Sequence, residues 1–159
     1  MENLQTPTKT DVLKAFRQAD DKGKKLLESL FGKIAPEKIT EKVLSFEDAC
    51  EVLGIKPEDV LHASHSGYLD NHIKSINAYC KLIVITEALN EGWKPNWDNE
   101  DEWKYYPWFY FNQPGFRLLS VYDCCLSSAV GSRLCFRDSE TAEYAAKQFL
   151  DIYKEFMTF

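Results

Sequence analysis

Two hydrophobic periods divide the chain. From Val12 onward, Phe16, Ala19, Gly23, Leu26, Leu27 and Leu30 recur at helical spacing. They predict a first helix capped by Thr8 or Thr10, weakened in the middle by Gly23 and closed by Gly32. Pro36 opens a short helix in PEKITEKV. In SFEDACEVLGI, Ser45 and Asp48 stand at capping-box spacing, and Gly54 offers a left-handed terminus onto which Ile55 folds back. Lys56-Pro57-Glu58 begins another short helix. Beyond the loop ASHSGYL, residues 63–69, Asp70 is placed to cap a long helix reaching about Asn90, with Gly92 ending it. Ile73, Ile76, Cys80, Ile83 and Val84 line one face of that helix, and Leu82, Ile85 and Leu89 widen it. So broad an apolar surface predicts a central helix covered on more than one side.

After residue 102 the period becomes two. WKYYPWFYFN reads as a strand, Gln113-Pro114-Gly115-Phe116 as a type II turn, and FRLLSVY, 116–122, as the returning strand. DCCLSSAVGS is a loop or a ragged strand, and RLCFR, 133–137, a third strand. Asp138 or Ser139 caps a last helix whose stripe is Ala142, Ala146, Phe149, Tyr153 and Phe156. The fold class expected is α+β in a single domain over 1–159: helical from 8 to 92, then a small three-stranded antiparallel meander packed on the helices, with a C-terminal amphipathic helix, 103–157.

KYYPWFYF, residues 104–111, holds six aromatic side chains in eight positions, and all four tryptophans fall between 93 and 108. Alternation puts Trp103, Tyr105, Phe109 and Phe111 on one face and Tyr106, Trp108 and Tyr110 on the other, so both faces are aromatic. Pro107 marks an edge strand or a bulge. Two uses compete. The loop carrying Trp93 and Trp97 folds back and covers the outer face, or that face stays open and contacts a protein partner or a second copy through Trp97, Trp103, Tyr106, Trp108 and Tyr110. Three of the four arginines, Arg117, Arg133 and Arg137, lie in the predicted sheet, with Arg133 and Arg137 sharing a face with Cys135. Arginine beside aromatic rings also suits a nucleotide or single-stranded nucleic acid.

Composition narrows the field. The 159 residues carry a net charge of −6, which opposes nucleic acid and anionic membranes at long range. The N-terminal MENLQTPTKTDVLK lacks an apolar signal core and no run is long enough to span a bilayer, so a cytoplasmic protein with no membrane partner is expected. Five cysteines, an odd number without C-x-x-C, read as reduced and largely buried; Cys50 and Cys80 fall on apolar helix faces, and nothing adjacent in sequence lowers the thiol pKa of Cys124 or Cys125. His62 and His65 are three apart, but a serine-glycine loop favours solvated histidines over zinc. Asp98, Glu100, Asp101 and Glu102 offer calcium-type oxygens, but without EF-hand spacing they read as a solvated loop. The helical pair around Gly54 exposes acids, which argues against a DNA-reading helix-turn-helix. G-x-S-x-G, H-E-x-x-H, P-loop and G-x-G-x-x-G patterns do not occur, so neither an enzyme nor a cofactor or metal site is expected.

The segments KKLLESLFG, SFEDACEVLGI, ITEALNEGWKPNWDNEDEWKYYPWF and VGSRLCFRDSETAEYAAKQFLDIYKEF resemble a group of small uncharacterised α+β proteins of Bacteroides-type gut bacteria, their phages and mobile elements. The likeness covers nearly the whole chain, and NEGWKPNW…YYPWF and GSRLCF…YAAKQF are its most specific parts. It implies a cytoplasmic or virion setting with a phage connection, and marks SVYDCCLSSA as a variable, ligand-tuning loop. The group has no agreed activity, so it assigns no catalytic residue.

Overall fold

Helix α5 (Ile73–Leu89) is the axis of the computed structural model, which describes residues 7, 9–32, 38–60, 62–64, 72–112 and 115–158. Ala78, Leu82, Ile85 and Leu89 form its deepest seam, with Val84 and Ala88 buried beside them. Of the face named first from the sequence, Val84 is buried, and Ile73, Ile76, Cys80 and Ile83 are half-buried. Helices α3 (Ile39–Lys42), α4 (Phe46–Leu53), α6 (Ser139–Gln148) and α7 (Leu150–Met157) pack around α5, which is the many-sided covering its apolar girth requires.

Local chemistry sets the helix ends. The Asp48 N–H donates to Ser45 Oγ at 3.0 Å, and the Ser45 N–H returns to Asp48 Oδ2 at 3.0 Å, completing the capping box. Gly54 is left-handed, and the Ile55 N–H reaches back to the Cys50 carbonyl at 3.0 Å. Pro57–Asp59 forms a short 3-10 turn. Asp138 caps α6 by accepting the Thr141 N–H at 2.7 Å. Tyr144 and Gln148 on α6 then donate to the Val43 and Leu44 carbonyls ahead of α4, at 2.8 and 2.6 Å.

Two expected helices are each broken. The first is α1 (Lys9–Gln18) followed by α2 (Asp21–Phe31), because the Asp20 carboxylate accepts the Gly23 N–H at 2.8 Å and starts a new helix. Gly23 permits the tight junction, since a Cβ there would lie 2.9 Å from that of Ala19. The C-terminal stripe is divided between α6 and α7 at Phe149 (φ −113°, ψ 29°). It nevertheless keeps one face: Ala142, Ala145, Ala146, Phe149 and Tyr153 are buried, and Phe156 stacks on Tyr79 at 5.3 Å. The cap at Thr8, the helix start at Pro36, the loop from His65 to Leu69, the cap at Asp70 and the residues Gln113-Pro114 fall outside the described residues. Around the last pair the Gly115 N–H donates to the Asn112 carbonyl, closing the reversal one residue earlier than the turn expected at 113–116.

The sheet corrects the meander. Strands β1 (Lys104–Tyr110) and β2 (Arg117–Cys124) pair antiparallel, with Trp108 opposite Ser120 and Phe109 opposite Leu118, so Leu119 is an extra, bulged residue. A third strand is not shown among the described residues. Ser132–Leu134 is a 3-10 turn, and Phe136 makes a single bridge to β1, exchanging both backbone bonds with Tyr105 at 3.0 and 2.7 Å. The other side of this segment is taken by a side chain. Asn90, buried at the end of α5, donates from Nδ2 to the Cys135 carbonyl at 2.8 Å and accepts the Arg137 N–H at 3.2 Å. One amide thus replaces the neighbouring strand that residues 135–137 would otherwise need. The inner face of the hairpin closes on the helices through Phe109, which packs on Phe116 at 4.8 Å and Tyr153 at 4.9 Å.

Asn90→Ala leaves a buried carbonyl and a part-buried N–H without partners. It is expected to lower unfolding stability by about 1–3 kcal/mol in urea denaturation; an unchanged midpoint would remove this role for the amide.

Candidate functional site

The outer face of the hairpin carries Lys104, Tyr106, Trp108 and Tyr110 from β1, opposite Cys124, Tyr122, Ser120 and Arg117 of β2. This face is roofed at one end and open at the other.

Lys104 builds the roof. Its side chain is fully buried, and its ammonium donates to the carbonyls of Asn96 (2.5 Å), Glu102 (2.6 Å), Cys125 (2.9 Å) and Asn99 (3.3 Å). Three N–H protons are therefore shared among four acceptors. The Glu102 carboxylate lies 3.3 Å away and the Trp97 ring 5.2 Å away, a cation–π distance. Glu102 is itself fixed by the Asn96 N–H at 2.7 Å; that bond, followed by Lys104, holds its carboxyl below the usual carboxylate range. Trp97 Nε1 donates to Ser132 Oγ at 2.8 Å and so ties the 93–102 loop to the segment before Leu134. Cys135 is close enough to interact electrostatically with both Lys104 and the Tyr106 phenol. Backbone oxygens that would suit a hard cation thus point at the protein's own ammonium. Among the described residues, no group of three or more His, Cys, Asp or Glu side chains is placed to hold a metal.

The roof ends between Tyr106 and Trp108. Tyr106 is 8% exposed, whereas Trp108 is 42%, Tyr110 39% and Tyr122 46% exposed. Trp108 leans on Tyr122, ring centroids 5.3 Å apart, and lies 6.5 Å from Tyr106. Trp103, Phe111 and Leu119 are also exposed. Of the tryptophans upstream, Trp93 and Trp97 are half-buried. The outer face of the aromatic strand is therefore covered at one end and exposed at the other.

Arg133 and Arg137, expected to share a strand face with Cys135, do not lie in a strand among the described residues. Arg117 lies over the Tyr110 ring at 4.6 Å and donates to the Gly115 carbonyl at 3.1 Å. Arg137 is held at the other end of the hairpin by Glu91 at 2.6 Å and Asp138 at 3.3 Å. The bridge from Tyr105 to Phe136 puts Arg137 about six strand residues from Arg117, roughly 20 Å along the strand. Arg133 is exposed on the 3-10 turn rather than in a strand. The difference follows from the 3-10 turn and single bridge that stand in place of the expected strand at 133–137.

Sequence reading missed Lys104, which resembles an ordinary solvated strand-end lysine, and Tyr122, which was only part of a returning strand. The five cysteines are all unpaired. Burial pushes the Cys135 and Cys50 thiols up. Cys124 goes the other way: the Ser127 hydroxyl at 3.0 Å, followed by the N–H groups of Leu126 and Ser127, lowers its thiol pKa. The turn after β2 thus supplies what neighbouring sequence did not suggest.

No helix among the described residues is long and apolar enough to cross a membrane. Comparison with protein-family profiles, curated proteins and solved structures returns no match.

Lys104→Met keeps the stem and removes the charge, leaving the loop carbonyls without their shared donor. The expected cost is about 3–5 kcal/mol in chemical denaturation, with Trp97 emission shifted to the red as the loop opens to water. Unchanged stability and emission would mean that the roof does not depend on the ammonium.

Proposed function

We propose that this chain is a non-enzymatic binding or assembly module that contacts a protein partner or a second copy through the open half of its aromatic sheet face. One observation carries this reading: Trp108, Tyr110 and Tyr122 stay exposed, while Lys104 and Tyr106, on the same face of β1, are covered. Clustered Trp, Tyr and Arg side chains are what protein contact centres use, because rigid rings desolvate a large area at little entropic cost. Arg117 on Tyr110 adds a donor at the rim, whereas Trp103 and Phe111, though exposed, fall by alternation on the opposite face. Trp97 and Tyr106 serve the roof instead, and Arg133 and Arg137 stand apart from the contact. The resemblance noted in the sequence supports a cytoplasmic or virion setting and a phage or mobile-element connection.

Trp108→Ala is expected to weaken the contact by about 2 kcal/mol, roughly 30-fold, in affinity capture or light scattering, with circular dichroism unchanged. A wild-type monomer whose captured set is indifferent to both Trp108→Ala and Tyr110→Ala would overturn the reading.

A second reading is binding of a nucleotide or single-stranded nucleic acid. The Arg117–Tyr110 stack favours it, since a guanidinium over a ring is a ready platform for a base and its phosphate. The net charge and the separation of the arginines weigh against it. On titration with nucleotides and oligonucleotides at low salt, the first reading expects Trp108 fluorescence to stay constant. Saturable quenching lost in Arg117→Ala would favour the second.

A further inference from the structure

We propose that residues Ser120–Cys124 of β2 pair antiparallel with the same segment of a second copy, Tyr122 meeting Tyr122 across a two-fold axis. The inference rests on the reading of the open face as a contact surface and names its occupant and geometry.

Hydrogen-bond parity identifies the free edge. Tyr105 spends both its N–H and its C=O on Phe136, away from β2. Backbone groups alternate along a strand, so Lys104, Tyr106 and Trp108 face β2, and their register partners Cys124, Tyr122 and Ser120 face back. Val121 and Asp123 therefore direct their N–H and C=O groups outward. Among the described residues none of these four groups meets a backbone partner, and the Val121 carbonyl has only the Ser120 hydroxyl at 3.3 Å.

The opposite edge is blunted and this one is not. Pro107 occupies the outward position on β1 and has no N–H to offer. Val121, its partner across the hairpin, has one. Between Ser120 and Cys124 there is no proline and no lysine, and the bulge at Leu119 disrupts only the residues before Ser120.

The regular stretch fixes the register. An axis at Tyr122 pairs Val121 with Asp123 of the second copy, and the reverse, so all four outward groups on each chain find partners. An axis at Val121 would bring the bulged Leu119 into the ladder. With the axis at Tyr122, the two Tyr122 side chains form a non-hydrogen-bonded pair, the closer kind, and continue the Tyr106–Tyr122 row into four strands. Ser120 faces Cys124, small against small, leaving room for the rings. Each Asp123 faces Val121 and not the other Asp123, so like charges are not opposed. This self-complementarity is the argument for a second copy over an extended segment of another protein. Five-residue edges with a few rings bury less than a standard interface, so the pairing is a concentration-dependent equilibrium.

Sedimentation velocity from low micromolar to near-millimolar protein tests it. The wild type is expected to show a monomer–dimer equilibrium. Val121→Pro removes an N–H that the hairpin does not use and is expected to weaken dimerisation at least about ten-fold, with circular dichroism intact. Tyr122→Lys sets two ammonium groups on the axis, is expected to act in the same direction, and decides the matter if the proline disturbs the strand. A wild type that stays monomeric throughout overturns the proposal, and so does a dimer indifferent to the folded variants. Trp108-dependent capture of a partner by a monomeric wild type would sink the edge pairing alone and leave the open-face reading standing. A dimer lost in Trp108→Ala but kept in folded Val121→Pro would do the same.

Discussion

A buried ammonium organises this molecule. Removing Lys104 from water costs several kcal/mol even after relaxation unless its charge and its donors are met. They are met by four backbone carbonyls, the Glu102 carboxylate and the face of Trp97. The same bonds solve a second problem. Residues 96–102 form no ladder, and the Asn96 and Asn99 carbonyls accept only long bonds from the loop's own N–H groups, at 3.5 and 3.3 Å. The lysine does for this loop what a bound cation does elsewhere, with one difference: the cation is covalently part of β1. The roof is therefore anchored at the first residue of the strand and extends only as far as one side chain can reach.

The hairpin is thin, and its support comes from side chains where larger sheets use strands. Asn90 holds residues 135–137 with an amide that has the same donor–acceptor pair as a backbone. A single residue of bridging then suffices to dock the segment on β1. The electrostatic consequence is that Arg137 leaves the sheet and pairs with Glu91 and Asp138 at the helix layer. That removes it from any ligand Arg117 could bind. One buried amide thus decides both the strand count and the distribution of cations.

Much of the helical framework was legible because caps are local. Ser45, Asp48, Gly54 and Asp138 act within four residues of themselves, and the aromatic alternation of β1 follows from a period of two. The breaks were harder. Asp20 and Asp21 stand in an unbroken apolar period, and only the cap at Asp20 reveals two helices; at Phe149 neither glycine nor proline signals the junction. RLCFR reads as a strand because a five-residue apolar run does not show what will pair with it. Asn90 lies about 45 residues upstream, and its role is a long-range contact with no local trace. Lys104 is the same case: a lysine before an aromatic run looks solvated until the preceding loop is seen to point its carbonyls inward. For the candidate site, the rings were visible in the sequence, but which of them water reaches depended on that loop.

The open half of the face differs from a surface merely left uncovered. Chains carrying −6 repel one another at distances near the screening length, yet Trp108, Tyr110, Tyr122, Phe111 and Leu119 bear no charge, and the cation beside them, Arg117, is already stacked on Tyr110. Asp123 belongs by parity to the other face. Net charge and exposed apolar surface are thus separated in space, the uncharged rings being gathered at the open end of the hairpin. The bulge at Leu119 and the proline at 107 restrict strand addition to one short stretch of one edge. Along Ser120–Cys124 the exposed Tyr122 and a regular strand edge coincide, and Asp123, the charge in that stretch, lies by parity on the opposite face.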